Sequence, residues 1–138
     1  MKTLIFAESK HFIDEIYESI SSLEGEIIIS TDWGGCAALL SAYHFSAVII
    51  NLRPSEYGGS LDLSLINFIQ ANYPSNNVLA IYDSKAFLAS EEDETIIKRV
   101  AALSGAKAVF SNNGDLGKVK DYMLAVLDFT PSHNLSDN

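Results

Sequence analysis

The chain has 138 residues, 48% of them hydrophobic and 20% charged, with a formal net charge of −9. That length favours one domain able to bury roughly two-thirds of its unfolded surface, and the composition is that of a globular chain, not a disordered one. The negative charge argues against binding nucleic acid, no apolar run is long enough to span a membrane, and the lone Cys36 excludes an intrachain disulfide framework or a paired-cysteine metal site.

Lys2 to Ala7 reads as a first strand, too short to be a secretory signal, which together with the cysteine count implies a cytoplasmic location. Phe12, Ile13, Ile16, Tyr17, Ile20 and Leu23 recur at helical spacing, with Ser9 as N-cap and Gly25 as breaker. Glu26 to Ser30 is a second strand, Thr31 to Gly35 a loop, and Cys36 to Phe45 a short helix. Ala47 to Asn51 is a third strand, whose unbroken apolar run suits a central parallel position. Arg53 to Ser60 is a loop carrying Pro54, Gly58 and Gly59. Leu61, Leu65, Ile66, Phe68 and Ile69 mark a third helix that stops before Pro74.

Val78 to Tyr82 is a fourth strand, and Asp83 to Ser90 an irregular connection. Glu91, Glu92, Asp93 and Glu94 load the first turn of a fourth helix with anions, which suits its dipole. The buried face predicted for that helix is Ile96, Ile97, Val100, Ala101 and Leu103, with Gly105 ending it. Ala108 to Phe110 is a fifth strand and Ser111 to Gly114 a turn. Leu116, Val119, Tyr122, Met123, Val126 and Leu127 stripe a last helix. The predicted organisation is one domain over residues 1–129 and a polar, frayed tail over 130–138. Strict strand–helix alternation implies an α/β, flavodoxin-like, five-stranded parallel sheet of order 2-1-3-4-5 with helices on both faces.

In such sheets ligands and chemistry sit beyond the carboxyl ends of the strands. The run Ser46-Ala47-Val48-Ile49-Ile50-Asn51-Leu52-Arg53-Pro54, the Gly35 to Leu39 segment, and Gly105-Ala106 before the fifth strand resemble response-regulator receiver domains over nearly the whole chain. The resemblance implies a phosphosignalling scaffold, and it also places the family's functional positions. The paired magnesium-binding acids fall on Ala7 and Glu8, the phosphorylated Asp on Asn51, the Thr or Ser ending strand four on Tyr82, and the Lys-Pro on Asn112-Asn113. An amide is no carboxylate nucleophile, and Glu8 with an amide oxygen makes a poor magnesium site. The expectation is therefore a degenerate, non-catalytic pseudo-receiver with no metal and no cofactor. In place of phosphate, Asn51, Tyr82 and Asn112 are expected to share one polar network.

Two other readings stand beside it. One is a small-molecule module with its ligand among Glu8, Asn51, Tyr82 and Asn112, and the other an enzyme using Glu8 and Asp83 as a carboxylate pair. No glycine-rich nucleotide loop, Cys-x-x-Cys or nucleophilic triad supports a further enzyme class. Cys36 reads as a small core residue, dipole activation being the alternative. Trp33 is either a loop anchor or an exposed contact residue. His11, His44 and His133 have no ligand-spaced partners.

Charge is uneven along the chain. Lys98, Arg99, Lys107, Lys118 and Lys120 against Asp115 give residues 98–120 a net +4, so that the rest carries −13. By the family resemblance, the face made by the fourth helix, fifth strand and fifth helix carries dimer or effector contacts. The partner expected there is an acidic protein or a second copy of the chain.

Overall fold

The computed structural model describes residues 1–53, 62–83, 91–112 and 114–132. The elements run β1 (Lys2–Phe6), α1 (Lys10–Ile20), β2 (Glu26–Ser30), α2 (Trp33–Ala42), β3 (Ala47–Leu52), α3 (Ser64–Asn72), β4 (Val78–Tyr82), α4 (Glu91–Ser104), β5 (Ala108–Ser111) and α5 (Leu116–Ala125). All four pairings are parallel, in the order β2-β1-β3-β4-β5. The fold is the flavodoxin-like one expected.

Alternation along the strands splits the core into two layers. Val48, Ile50 and Leu52 of β3 and Val78, Ala80 and Tyr82 of β4 pack under α2, α3 and α4. Ala47, Ile49, Leu79 and Ile81 face the other way, under α1 and α5. β4 is buried over its whole length, which explains why its sequence shows no polar alternation.

Local chemistry sets the helix ends. The Ser9 hydroxyl accepts from the Phe12 N–H at 3.3 Å, the N-cap expected for α1. α2 starts three residues before its predicted position, at Trp33. The Asp32 carboxylate caps it by accepting from the Gly35 N–H, so the Gly34-Gly35 pair is helical, not loop. Gly25 sits at φ +125°, and a Cβ there would lie 2.5 Å from the Met1 carbonyl oxygen. Only glycine allows the turn that delivers the Glu26 N–H to that carbonyl, at 2.9 Å.

Two expectations change. α4 buries Ile97 and Ala101, while Ile96 is 58% and Leu103 82% exposed. Its apolar residues form two stripes, and the sheet edge beneath has room for one. The start of the expected tail is also held in place: Thr130 to Ser132 pair antiparallel with Ser22 to Glu24, through bonds of 2.7 Å at Glu24 N–H and Ser132 N–H. The predicted loop residues 54–60 with Leu61, the connection at 84–90, Asn113 and the tail beyond Ser132 lie outside the described residues. No helix among the described residues is long and apolar enough to cross a membrane.

Candidate functional site

The carboxyl ends of β1, β3, β4 and β5 come together along one rim of the sheet. Ala7 ends the β1 side, buried, with its N–H donating to the Ser30 carbonyl at 3.2 Å. It offers no side-chain donor atom. Glu8 turns outward, where the Arg53 guanidinium at the end of β3 donates to its carboxylate at 2.7 Å. That pair is 66% and 54% exposed. The carboxylate that would hold a cation is thus already neutralised by a neighbour.

Asn51 is half-buried and stands in register with Ile81, so it belongs to the α1/α5 side of the sheet. Its amide makes no hydrogen bond to a described residue. Tyr82 pairs with Leu52 and points to the opposite side, under α4. Asn51 and Tyr82 therefore do not share the expected network; the two-residue period of the strands separates them. Asn112 contributes through its backbone, its N–H donating to the Tyr82 carbonyl at 2.8 Å and its carbonyl accepting from Gly114 at 3.1 Å.

Tyr82 has its own network. The ring is fully buried, and its hydroxyl donates to the Glu94 carboxylate at 2.9 Å. Burial raises the hydroxyl pKa well above the ordinary tyrosine value, and Glu94 raises it further; a hydrogen bond with the Ser111 side chain pulls the other way. The phenol stays neutral and acts as a donor. Next to it, Asp115 at the start of α5 accepts from the Ser111 N–H at 3.1 Å and pairs with Lys118 at 3.2 Å. Burial raises the Asp115 pKa, but the Ser111 N–H, Lys118 and Lys98 together hold it below the usual carboxylate value.

Sequence reasoning passed over Glu94, Arg53 and Asp115. A tyrosine ending a fully apolar strand was the available signal, because a buried phenol needs a partner, but nothing in the sequence singles out Glu94 over the adjacent Asp83.

The cations divide. Lys118 of α5 pairs with Asp115, and Lys98 of α4 lies within electrostatic reach of the same carboxylate. Arg99 is exposed on α4, Lys120 half-buried on α5, and Lys107 stands before β5, at the opposite end of that strand from Lys118. Cys36 is fully buried, and burial with the nearby Asp32 carboxylate pushes its thiol up to about 12. It is a core residue, not an activated nucleophile. Trp33 packs edge-on against Phe68 of α3, with ring centroids 4.7 Å apart, which anchors α2 to α3.

A magnesium ion of the kind receivers use does not fit this donor set. Ala7 supplies no oxygen, Asn51 supplies a neutral one, and the Glu8 carboxylate is paired with Arg53. Among the described residues no three acidic, histidine or cysteine side chains gather as metal ligands.

No family model matches the chain, and no curated protein sequence matches it. Its shape does match solved structures. A Francisella response-regulator receiver domain superposes with a TM-score of 0.70 at 14% identity, covering 92% of this chain and 96% of that one. A response regulator from Thermotoga maritima gives 0.69 at 14% identity, over 92% and 97% of the two chains. A Burkholderia pseudomallei response regulator with a phosphorylated aspartic acid gives 0.62 at 18% identity, over 99% and 69%. The chain carries the fold of receiver domains, at identities that speak to architecture and leave chemistry to its own residues.

Proposed function

We propose that this chain is a receiver-like signalling module that works through protein contacts on its α4–β5–α5 face and takes no phosphate at the end of β3. The observation that carries this reading is the outer stripe of α4. Ile96, Arg99, Val100 and Leu103 follow one another at helical spacing, with the two large apolar ends exposed to solvent. A soluble helix gains nothing by leaving Leu103 at 82% exposure, whereas a docking helix needs such anchors beside a charge. Arg99 supplies the charge within the stripe, and Lys98 on α4 and Lys118 beside Asp115 on α5 add two further cations. The partner that fits is an acidic protein surface bearing an apolar groove.

The rim supports the other half of the reading. Asn51 offers an amide where a phosphoacceptor offers a carboxylate, and the Glu8 carboxylate is engaged by the Arg53 guanidinium. On this reading the protein is not an enzyme, binds no cofactor, and acts in the cytoplasm.

The test is capture by the immobilised chain. Partner recovery should fall on Leu103→Glu, and on joint reversal of Lys98, Arg99 and Lys118 to Glu, and should weaken as salt rises. Recovery indifferent to both sets of changes would exclude this face. A metabolite retained by the purified protein in native mass spectrometry, and lost on Asn51→Ala, would replace the reading with a ligand-binding module.

A further inference from the structure

The sheet has two edges, and they differ. β5 is four residues long and is preceded by the exposed Lys107, a charge that discourages strand addition. β2 reads Glu-Ile-Ile-Ile-Ser. Among the described residues its one hydrogen-bonded neighbour strand is β1, and it carries no charge after Glu26. Ile29 is 43% exposed, and Ile27 and Ile28 are half-buried. Nothing among the described residues pairs with its free side.

Which backbone groups are free follows from the register. The Glu26 N–H donates to the Met1 carbonyl, and the Ser30 carbonyl accepts from the Ala7 N–H. Residues 26, 28 and 30 thus direct their backbone groups at β1, and Ile27 and Ile29 direct theirs outward. An antiparallel partner can use only outward groups. A second copy turned about a twofold axis through Ile28 meets that condition: Ile27 faces Ile29 of the other copy, Ile29 faces its Ile27, and each pair exchanges both of its hydrogen bonds. Ile28 then stands against itself in the intervening pair, whose backbone groups are already used. Glu26 falls opposite Ser30 and away from the other Glu26, and its charge is met within its own chain by Lys2 at 3.2 Å. The register avoids like charges and sets the exposed Ile29 beside Ile27 of the other copy.

We propose that β2 is a self-association edge, pairing antiparallel with β2 of a second copy about Ile28 to make one continuous sheet through a closed dimer. Each chain has one such edge, so the contact is isologous and stops at two. It is independent of the α4 face and has the opposite salt dependence. Two copies each carrying −9 repel, so this dimer tightens as salt rises.

Sedimentation of the whole chain over a concentration series tests it. A monomer–dimer equilibrium is expected, shifted toward dimer by salt and lost in Ile29→Lys. Ile29→Pro is the second variant. It removes only an outward N–H, leaves the β1 ladder its donors, and should give a monomer with unchanged circular dichroism. The register has its own readout: I28C, whose Cα atoms would approach to about 4.5 Å across the axis, should form a disulfide-linked dimer on mild oxidation, and I27C should not. A chain that stays monomeric throughout, a dimer that survives both Ile29 variants, or cross-linking through I27C in preference to I28C would overturn the proposal.

Discussion

At the end of β3, Asn51 and the Glu8–Arg53 pair meet solvent, and their contacts are few and exposed. At the ends of β4 and β5, a fully buried tyrosine reaches through its hydroxyl to Glu94, and a carboxylate that is only 20% exposed joins Ser111 to Lys118. The two halves of one rim are thus held by different physics. Exposed ion pairs contribute little, because water and salt compete for both partners. Buried donors with partners are costly to disturb, because removing one strands the other. Buried polar contacts tie the sheet to α4 and α5, while the side-chain pair beside the end of β3 is exposed.

The largest effects should come from the buried half. Tyr82→Ala should destabilise by about 3–5 kcal/mol in denaturant unfolding, the range for emptying a buried aromatic site. Ile97→Ala should cost about 2–5 kcal/mol, while Leu103→Ala on the outer stripe should stay within about 0.5 kcal/mol. Equal losses at Ile97 and Leu103 would erase the distinction between the two stripes of α4. Tyr82→Phe keeps the packing and removes only the hydroxyl, and should cost roughly 1–2 kcal/mol. Glu8→Ala, on the exposed half, should cost under about 1 kcal/mol, and less in high salt. A Glu8 loss that matched the tyrosine hydroxyl would show the two halves to be built alike.

pH sharpens the same contrast. The Tyr82 hydroxyl titrates higher in the folded chain than in the unfolded one, so it stabilises the fold below the ordinary tyrosine pKa near 10 and loses that contribution as pH climbs above it. The stability gap between wild type and Tyr82→Phe should therefore narrow in alkali. Cys36 behaves likewise between its ordinary 9.0 and about 12, and its thiol should resist alkylation until the chain unfolds. Asp115 has the opposite sign. Its lowered pKa stabilises the fold above the ordinary value of 3.8, and the gain drains away as acid protonates it. Asp115→Asn should flatten the acid limb of the stability curve.

The architecture was legible in the sequence because it rests on periodicities. The apolar run of β3, the unbroken β4 and the Ser9 cap are local signals, and strand–helix alternation leaves few topologies. The misread features depend on tertiary contacts. Gly34-Gly35 looks like loop until the Asp32 carboxylate is seen to cap it. Ile96, Ile97, Val100, Ala101 and Leu103 are all apolar, and only the width of the sheet edge decides which stripe is covered. Asn51 and Tyr82 both end strands, and their separation follows from register: Asn51 pairs with Ile81, one residue short of Tyr82. The partners of Tyr82 and Glu8 come from other elements, and sequence distance gives no sign of either.

The contrast between the two halves of the rim predicts that the β3 end carries out no phosphoryl chemistry. Incubating the purified chain with a small phosphodonor and magnesium, followed by intact-mass analysis, tests it directly. The mass should remain unchanged, and also in Asn51→Asp, because Asn112 stands where the resemblance to receivers places a lysine and Ala7 supplies no metal ligand. A phosphate adduct mapped to a strand-end residue of the wild-type chain would contradict the account.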